Sequence, residues 1–300
     1  MLLAAAASGF GPRAAPAQSV SRPVRRTVGA LEVTVLSDGS LTVPVGLLDR
    51  ARTDNEINPH VATGLTGPGQ LAFAINVALV RTPTDLVLID AGAGGTWQPS
   101  AGRLADALAT AGIGPDRITK IIITHAHPDH VWGLVDEFDD SLRFAKAEYV
   151  IPAPEWDYWT AADPKSLPEE IQAVGAGAKR VLKAIAERTR RVAPGASPIP
   201  GFTYLETGGH TPGHCSVLVG SGADALIVTA DAVHHATTSF QFPGWQPRPD
   251  MDGARAVASR RRLLDMAAAD RLGVLAYHLP YPGLGRVERK DEAYRWVAAS

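Results

Sequence analysis

The chain has 300 residues, 45% of them hydrophobic and 20% charged, with a formal net charge of −2, the balance of a globular enzyme rather than of a disordered chain. A charge so near zero excludes the concentrated basic footprint that nucleic acid requires, and the basic runs at Arg188–Arg191 and Arg260–Arg262 read as solvated element ends. One cysteine, Cys215, excludes an internal disulfide, and no stretch reaches the roughly 18 apolar residues of a membrane span.

Residues 1–30 read as an N-terminal tail or signal-like segment, and residues 31–300 as one domain. Leu2–Ala7 is apolar, and Ala15-Pro16-Ala17 before Gln18 has the small-x-small form of a cleavage site. No Lys or Arg precedes the apolar run, and Arg25-Arg26 has no apolar stretch after it. Export to the periplasm or medium is the expectation, with an Ala/Pro tail on a cytoplasmic protein as the alternative.

Leu31–Leu36 alternates with period two, and Ser37–Ser40 signals a turn. Ile75–Arg81 and Leu86–Ile89 are predicted strands around Pro83-Thr84-Asp85, the second apolar enough to be buried on both faces. Arg103–Ala111 is a predicted helix with Leu104, Leu108 and Ala111 inward and Gly112 past its end. Ile121–Thr124 is a buried strand. Glu155–Arg188 is helical, interrupted at Pro164 and Pro168. Strands follow near Phe202–Glu206, Ser216–Val219 and Ala225–Thr229, and Cys215 is expected to be a buried strand residue. Asp252 caps a helix to about Ala268 with Ala254, Val257, Leu264 and Ala268 inward, and Val274–Tyr277 is a last strand. Strands before and after helices in both halves predict an α/β fold of four layers, two mixed sheets with helices outside.

His125-Ala-His127-Pro-Asp129-His130 directly follows a buried strand. Imidazole and carboxylate suit zinc and similar divalent ions, and four such groups in a strand-to-helix turn can point at two adjacent ions. Gly92 and Gly94, after Asp90, form a permissive loop at a neighbouring strand end. Three more candidates stand where strands end: His210 in Gly209-His-Thr-Pro-Gly-His214, Asp231 after Ala225–Ala230, and His278 in Tyr277-His-Leu-Pro280.

In this order, with Leu88-Ile-Asp90-Ala-Gly92 before them, these motifs resemble the metallo-β-lactamase superfamily over residues 31–297. The resemblance implies the αββα sandwich and two divalent ions, zinc by expectation. It places His125, His127 and His210 on the first ion, Asp129, His130 and His278 on the second, and Asp231 across both. It makes Asp90 an orienter of a ligand imidazole and His214 a structural residue. A bridging Asp after this strand belongs to the lactonase, thioesterase, phosphodiesterase and organophosphate-hydrolase branches rather than to true β-lactamases.

Leu36-Ser-Asp-Gly39, Pro280–Gly285 and Tyr294-Arg-Trp-Val297 are similar to methyl parathion hydrolase and its relatives, where aromatics wall a leaving-group pocket. Trp97 and Trp159 fall where two of them are expected; near Ala173 the third is missing, which puts phosphotriesterase activity in doubt. Acyl-homoserine lactonases carry a Tyr three residues after the bridging Asp, and here that position is His234, whose N–H could polarise a carbonyl; His235 is expected to point away. Trp245, in Phe242–Asp252, is read as part of a pocket rim. The implied reaction is attack of a metal-bridging hydroxide on a lactone or ester, with His234 steadying the oxyanion and Asp129 relaying a proton. A phosphotriester is the alternative substrate, and a non-catalytic metal- or ligand-binding protein the alternative class. A small molecule is the only partner the motifs require, with a homodimer as the expected assembly.

Overall fold

A computed structural model gives the fold and describes residues 21–299. The Leu2–Ala7 run and the Ala15–Ala17 site lie outside the described residues.

The first sheet holds β1 (Val24–Val28), β2 (Leu31–Pro44), β3 (Leu65–Gly67), β4 (Gln70–Arg81), β5 (Leu86–Ile89), β6 (Lys120–Ile122), β7 (Glu148–Pro152) and β8 (Thr189–Val192). Its order is β1-β2-β4-β5-β6-β7-β8, with β3 paired to β4. Pairing is antiparallel from β1 to β5 and parallel from β5 to β8. The second sheet holds β9 (Phe202–Glu206), β10 (Cys215–Val219), β11 (Leu226–Val228), β12 (Gly273–Leu275), β13 (Leu284–Lys290) and β14 (Ala293–Ala298) in the order β14-β13-β12-β11-β10-β9. Here β11 and β12 are parallel and the other pairs antiparallel. The helices are α1 (Asp54–Val61), α2 (Leu104–Thr110), α3 (Pro128–Val131), α4 (Ala153–Ala161), α5 (Glu169–Ile185), α6 (Thr238–Gln241) and α7 (Gly253–Ala269).

Strand side chains alternate between faces, and this divides the core. Ala78 and Val80 of β4 pack with Val217 and Val228 between the two sheets. Val77 and Leu79 of the same strand face the other way, into a cluster with Leu108 of α2 and Val181 and Leu182 of α5. Ile227 and Val274 pack outward from the second sheet against Leu263, Leu264 and Ala267 of α7. Three apolar interfaces separate four layers, helix, sheet, sheet, helix, as the sequence predicts.

Several boundaries differ from the sequence reading. β1 pairs with β2 from inside the segment read as a tail. The predicted turn at Ser37–Ser40 is an irregularity within the single long strand β2, where register shifts between Ser37 and Ser40. The buried face of α7 includes Ala256, Ser259, Arg260, Leu263, Leu264 and Ala267; of the residues predicted inward Leu264 is buried, Val257 and Ala268 are half-buried and Ala254 is exposed. Apolar periodicity misplaces this face because two of its members are polar: Ser259 donates to the Gly208 carbonyl and Arg260 is bonded inside the protein. Arg260 is therefore not a solvated element end; Arg188, Arg190 and Arg191 are exposed.

Candidate metal centre

Every ligand-type residue singled out in the sequence follows the end of β5, β6, β9, β11 or β12. Those strands stop at one edge of the sandwich, and the loops beyond them converge. β5 is followed by Asp90, which adopts φ 62°, and the chain turns through Gly92 at φ 72°. A Cβ on Gly92 would lie 2.5 Å from Cγ of Asp38, so the residue must be glycine for the loop to pack. The Asp38 carboxylate takes the backbone N–H groups of Ala93, Gly102 and Leu104. Burial, countered by those donors, pushes its carboxyl up to about 6.

β6 leads into the histidine string, with Pro128 opening the short helix α3 that carries Asp129 and His130. His210 lies in the loop between β9 and β10, Asp231 just beyond β11, and His278 beyond β12. Asp231 is the hub. Its Oδ1 is 3.0 Å from Nε2 of His130 and 3.2 Å from Nε2 of His278. Its Oδ2 is 3.2 Å from Nε2 of His210 and 3.9 Å from Nε2 of His125. The donor atoms of His125, His127, His210 and Asp231 lie within 4.8 Å of one another, as do those of Asp129, His130 and His278. The two ligand sets expected from the sequence are thus brought together, with one carboxylate between them.

The outer ring nitrogens are tied down. His130 Nδ1 meets Asp90 at 2.8 Å, His210 Nδ1 meets Asp250 at 2.9 Å, His278 Nδ1 meets the Ala74 carbonyl at 2.9 Å, and His125 Nδ1 meets Thr124 Oγ1 at 3.1 Å. Each such bond fixes the ring and turns Nε2 inward. Among the described residues, Nε2 of His125 and His130 and Oδ1 of Asp231 are buried with no hydrogen-bond partner. Buried polar atoms left this way are costly unless something else meets them.

The charges tell the same story. Burial works against ionisation of Asp231, but His278, His130 and His210 override it and hold the carboxyl well below the usual carboxylate range. Burial also works against protonation of His210, and Asp231 nonetheless raises it to about 9. His125 and His127 stay far below the ordinary imidazole range through burial, then through the charge of His130 and His210 respectively. Asp231 is thus an ionised carboxylate beside two neutral imidazoles and beside three others, those of His130, His210 and His278, that it draws toward the protonated state against their burial; a divalent zinc-like ion would take the place of those protons, so these residues fit such ions.

A cavity of about 440 Å³ opens above the cluster. His127, Asp129, His210, Asp231, His234 and His278 form its polar end. Leu41, Val43, Phe73, Trp97, Ile171 and Met251 wall much of the rest, with Gln98, Glu170 and Arg248 also lining it. His234 is 2% exposed, its Nε2 is 3.5 Å from Asp231, and neither ring nitrogen has a hydrogen-bond partner. His235 turns away, its Nδ1 accepting from Thr237 and Thr238 at the start of α6. His214 lies behind Asp231 and accepts its backbone N–H.

Two expected wall residues are elsewhere. Trp159 is fully buried on α4, its ring 6.0 Å from that of His127, and its N–H donates to Glu155. Trp245 stacks on Phe242 at 4.8 Å beneath the Arg52 guanidinium and does not line the cavity. Trp97 does, as expected. Phe73 was missed, although the alternation Leu71, Phe73, Ile75 would have extended the strand to it. Asp250 was also missed. It holds His210 and is paired with Arg260, which also donates to the carbonyls of Ala232, Pro243 and Trp245.

Comparison with known proteins agrees with this geometry. The family model described as the metallo-beta-lactamase superfamily matches residues 71–278. The dizinc quorum-quenching lactonase AidC, solved in complex with a product, is 29% identical with a TM-score of 0.87, over 94% of this chain and 99% of that one. The hydrolase AbOPH is 27% identical with a TM-score of 0.86, over the same 94% and 99%. Metallo-beta-lactamase domain-containing protein 1 of Mus musculus is 27% identical over 43% of this chain and 50% of its own length. Its Rattus norvegicus counterpart is 30% identical over 43% of this chain and 52% of its own. The chain thus spans about half the length of the curated relatives it matches.

Proposed function

This chain belongs to the metallo-beta-lactamase superfamily and is a metal-dependent hydrolase, and from that premise we propose that it hydrolyses lactones or esters at two divalent ions, zinc by our reading. The carrying observation is Asp231, whose Oδ1 faces His130, whose Oδ2 faces His210, and which has His278 within 3.3 Å of both oxygens, at the floor of a largely apolar cavity. His125, His127 and His210 would hold one ion, Asp129, His130 and His278 the other, and Asp231 both. Such ions, when bound, supply the Lewis acidity that makes water a nucleophile at neutral pH and steadies charge on the attacked oxygen.

The chain's own residues do the rest. Phe73, Trp97 and Met251 take the apolar part of the substrate and displace water from the polar end. His234, with free ring nitrogens at that end, donates an N–H to the oxygen on which charge develops. Asp129 lines the cavity, its Oδ2 3.4 Å from His278 Nε2, and is placed to carry a proton to the leaving oxygen.

A carbonyl substrate is favoured over a phosphotriester on two grounds. The aromatic wall that an aryl phosphate needs is reduced here, since Trp159 is packed elsewhere and the cavity is lined near Ala173 by Ile171 and Val174 rather than by an aromatic. AidC, one of the two similar structures above, is a lactonase. The test is kcat/KM for dihydrocoumarin, a long-chain acyl-homoserine lactone and methyl parathion on one metal-loaded preparation. We expect a lactone to lead. A phosphotriester preferred by about tenfold or more, about 1.4 kcal/mol of transition-state binding, would overturn the reading.

A further inference from the structure

We propose that Glu155 is a positioning residue that locks His125, His127 and His210 into a single unit, and does so for one ligand set only; the inference rests on the ligand assignment above. Glu155 is fully buried, and among the described residues no cation pairs with it. Its carboxylate instead accepts four hydrogen bonds. Oε1 takes the backbone N–H of Ala126 at 2.9 Å and the indole N–H of Trp159 at 2.7 Å. Oε2 takes the Thr211 hydroxyl at 2.6 Å and the backbone N–H of Gly213 at 3.0 Å.

Each donor belongs to the surroundings of the same three imidazoles. Ala126 is the residue between His125 and His127. Trp159 sets its ring edge against the ring of His127. Thr211 follows His210, and Gly213 lies in the same loop. That loop is pressed so closely onto α4 that a Cβ on Gly213 would fall 2.1 Å from the Glu155 nitrogen. None of the four bonds reaches the other set. His130 is held by Asp90 and by the ring of Tyr277 stacked at 4.0 Å. His278 is held by the Ala74 carbonyl, and the backbone at Asp129 by the Tyr277 hydroxyl.

A buried carboxylate tolerates its charge only when donors surround it. Here three of the four donors come from two loops far apart in sequence, so solvating the carboxylate fixes those loops against each other and against α4. Glutamine has nearly the same shape but one oxygen fewer. Turned toward Ala126 and Trp159, its NH₂ meets two N–H donors and leaves both unmatched; turned the other way it can donate to the Thr211 hydroxyl but leaves the Gly213 N–H unmatched.

The test is zinc affinity of the full chain, measured by competition with a chelator, in two single-ion backgrounds. His278→Ala weakens the second site and leaves the first; His210→Ala does the reverse. We expect Glu155→Gln to lower zinc affinity at least about tenfold in the His278→Ala background, the scale of losing a ligand's outer support, and by less than about twofold in the His210→Ala background. Equal losses in both would show a general packing defect, and no loss in the first would show that Glu155 positions nothing; either overturns the proposal. Thr211→Val removes one donor and keeps the carboxylate buried. It should give a several-fold loss with the same selectivity, and it decides the matter if Glu155→Gln does not fold. If the unsubstituted chain binds no zinc, the ligand assignment itself fails and this proposal with it.

Discussion

The imidazole Nε2 of His214 accepts the backbone N–H of Asp231 at 3.1 Å. The other ring nitrogen therefore carries the proton and donates it toward Thr207, whose carbonyl is 3.1 Å and hydroxyl 2.9 Å away. Burial, and then the charge of His210, lowers the His214 pKa to about 3, so the ring stays a neutral acceptor at ordinary pH. His214 thus sets the backbone from which Asp231 reaches both ligand sets. His214→Ala should lower metal affinity about 10- to 100-fold, with activity partly recovered at high metal concentration. Activity and metal affinity both unchanged would show that Asp231 needs no such support.

Replacing the hub itself should be more severe. Elemental analysis of reconstituted protein should find about two divalent ions per chain, and Asp231→Ala should weaken both and abolish hydrolysis. At most one ion in the unsubstituted chain would contradict the bridging role.

His234→Ala should lower kcat by about one to three decades, the scale of losing one oxyanion donor, at unchanged ion content. Loss of an ion instead would make His234 a ligand, and the unpartnered nitrogens would then have been aimed at metal rather than substrate.

Acid should expose His235. Burial holds its pKa near 4, below the ordinary 6.5, and its Nδ1 must stay unprotonated to accept from Thr237 and Thr238. Between those values the unfolded chain binds a proton that the folded chain refuses. The stabilisation is therefore complete above about pH 6.5 and is lost as pH falls toward 4, at most about 3 kcal/mol. Denaturant unfolding of the unsubstituted chain and of His235→Asn, both metal-free, should show a stability difference that shrinks over this window. A constant difference would place the proton elsewhere.

The ligand-type residues were legible because imidazoles and carboxylates clustered at strand ends have few other uses, and the layers were legible because β4, β5 and β6 are so apolar. Beyond Asp90 and His214, the supports were not. Glu155 sits in the first turn of a helix, where an acidic residue ordinarily faces water and the helix dipole. Arg260 sits in a run of three arginines, and only the fold shows that one of them turns inward to Asp250. Trp159 was placed by its resemblance to a pocket aromatic, yet it lies one helical turn from Glu155 and follows it into the core. Strands β13 and β14 carry several charges and are exposed along much of their length, which hid their pairing.

The two sheets contribute different candidate ligands: the loops of the first bring His125, His127, Asp129 and His130, those of the second His210, Asp231 and His278. Ions held between them would fasten one half of the molecule to the other. Because the unfolded chain has no such arrangement, their binding energy is added to the stability of the folded form. Metal supply would then govern the lifetime of the molecule as well as its rate, and a copy starved of metal would be the first that proteases clear.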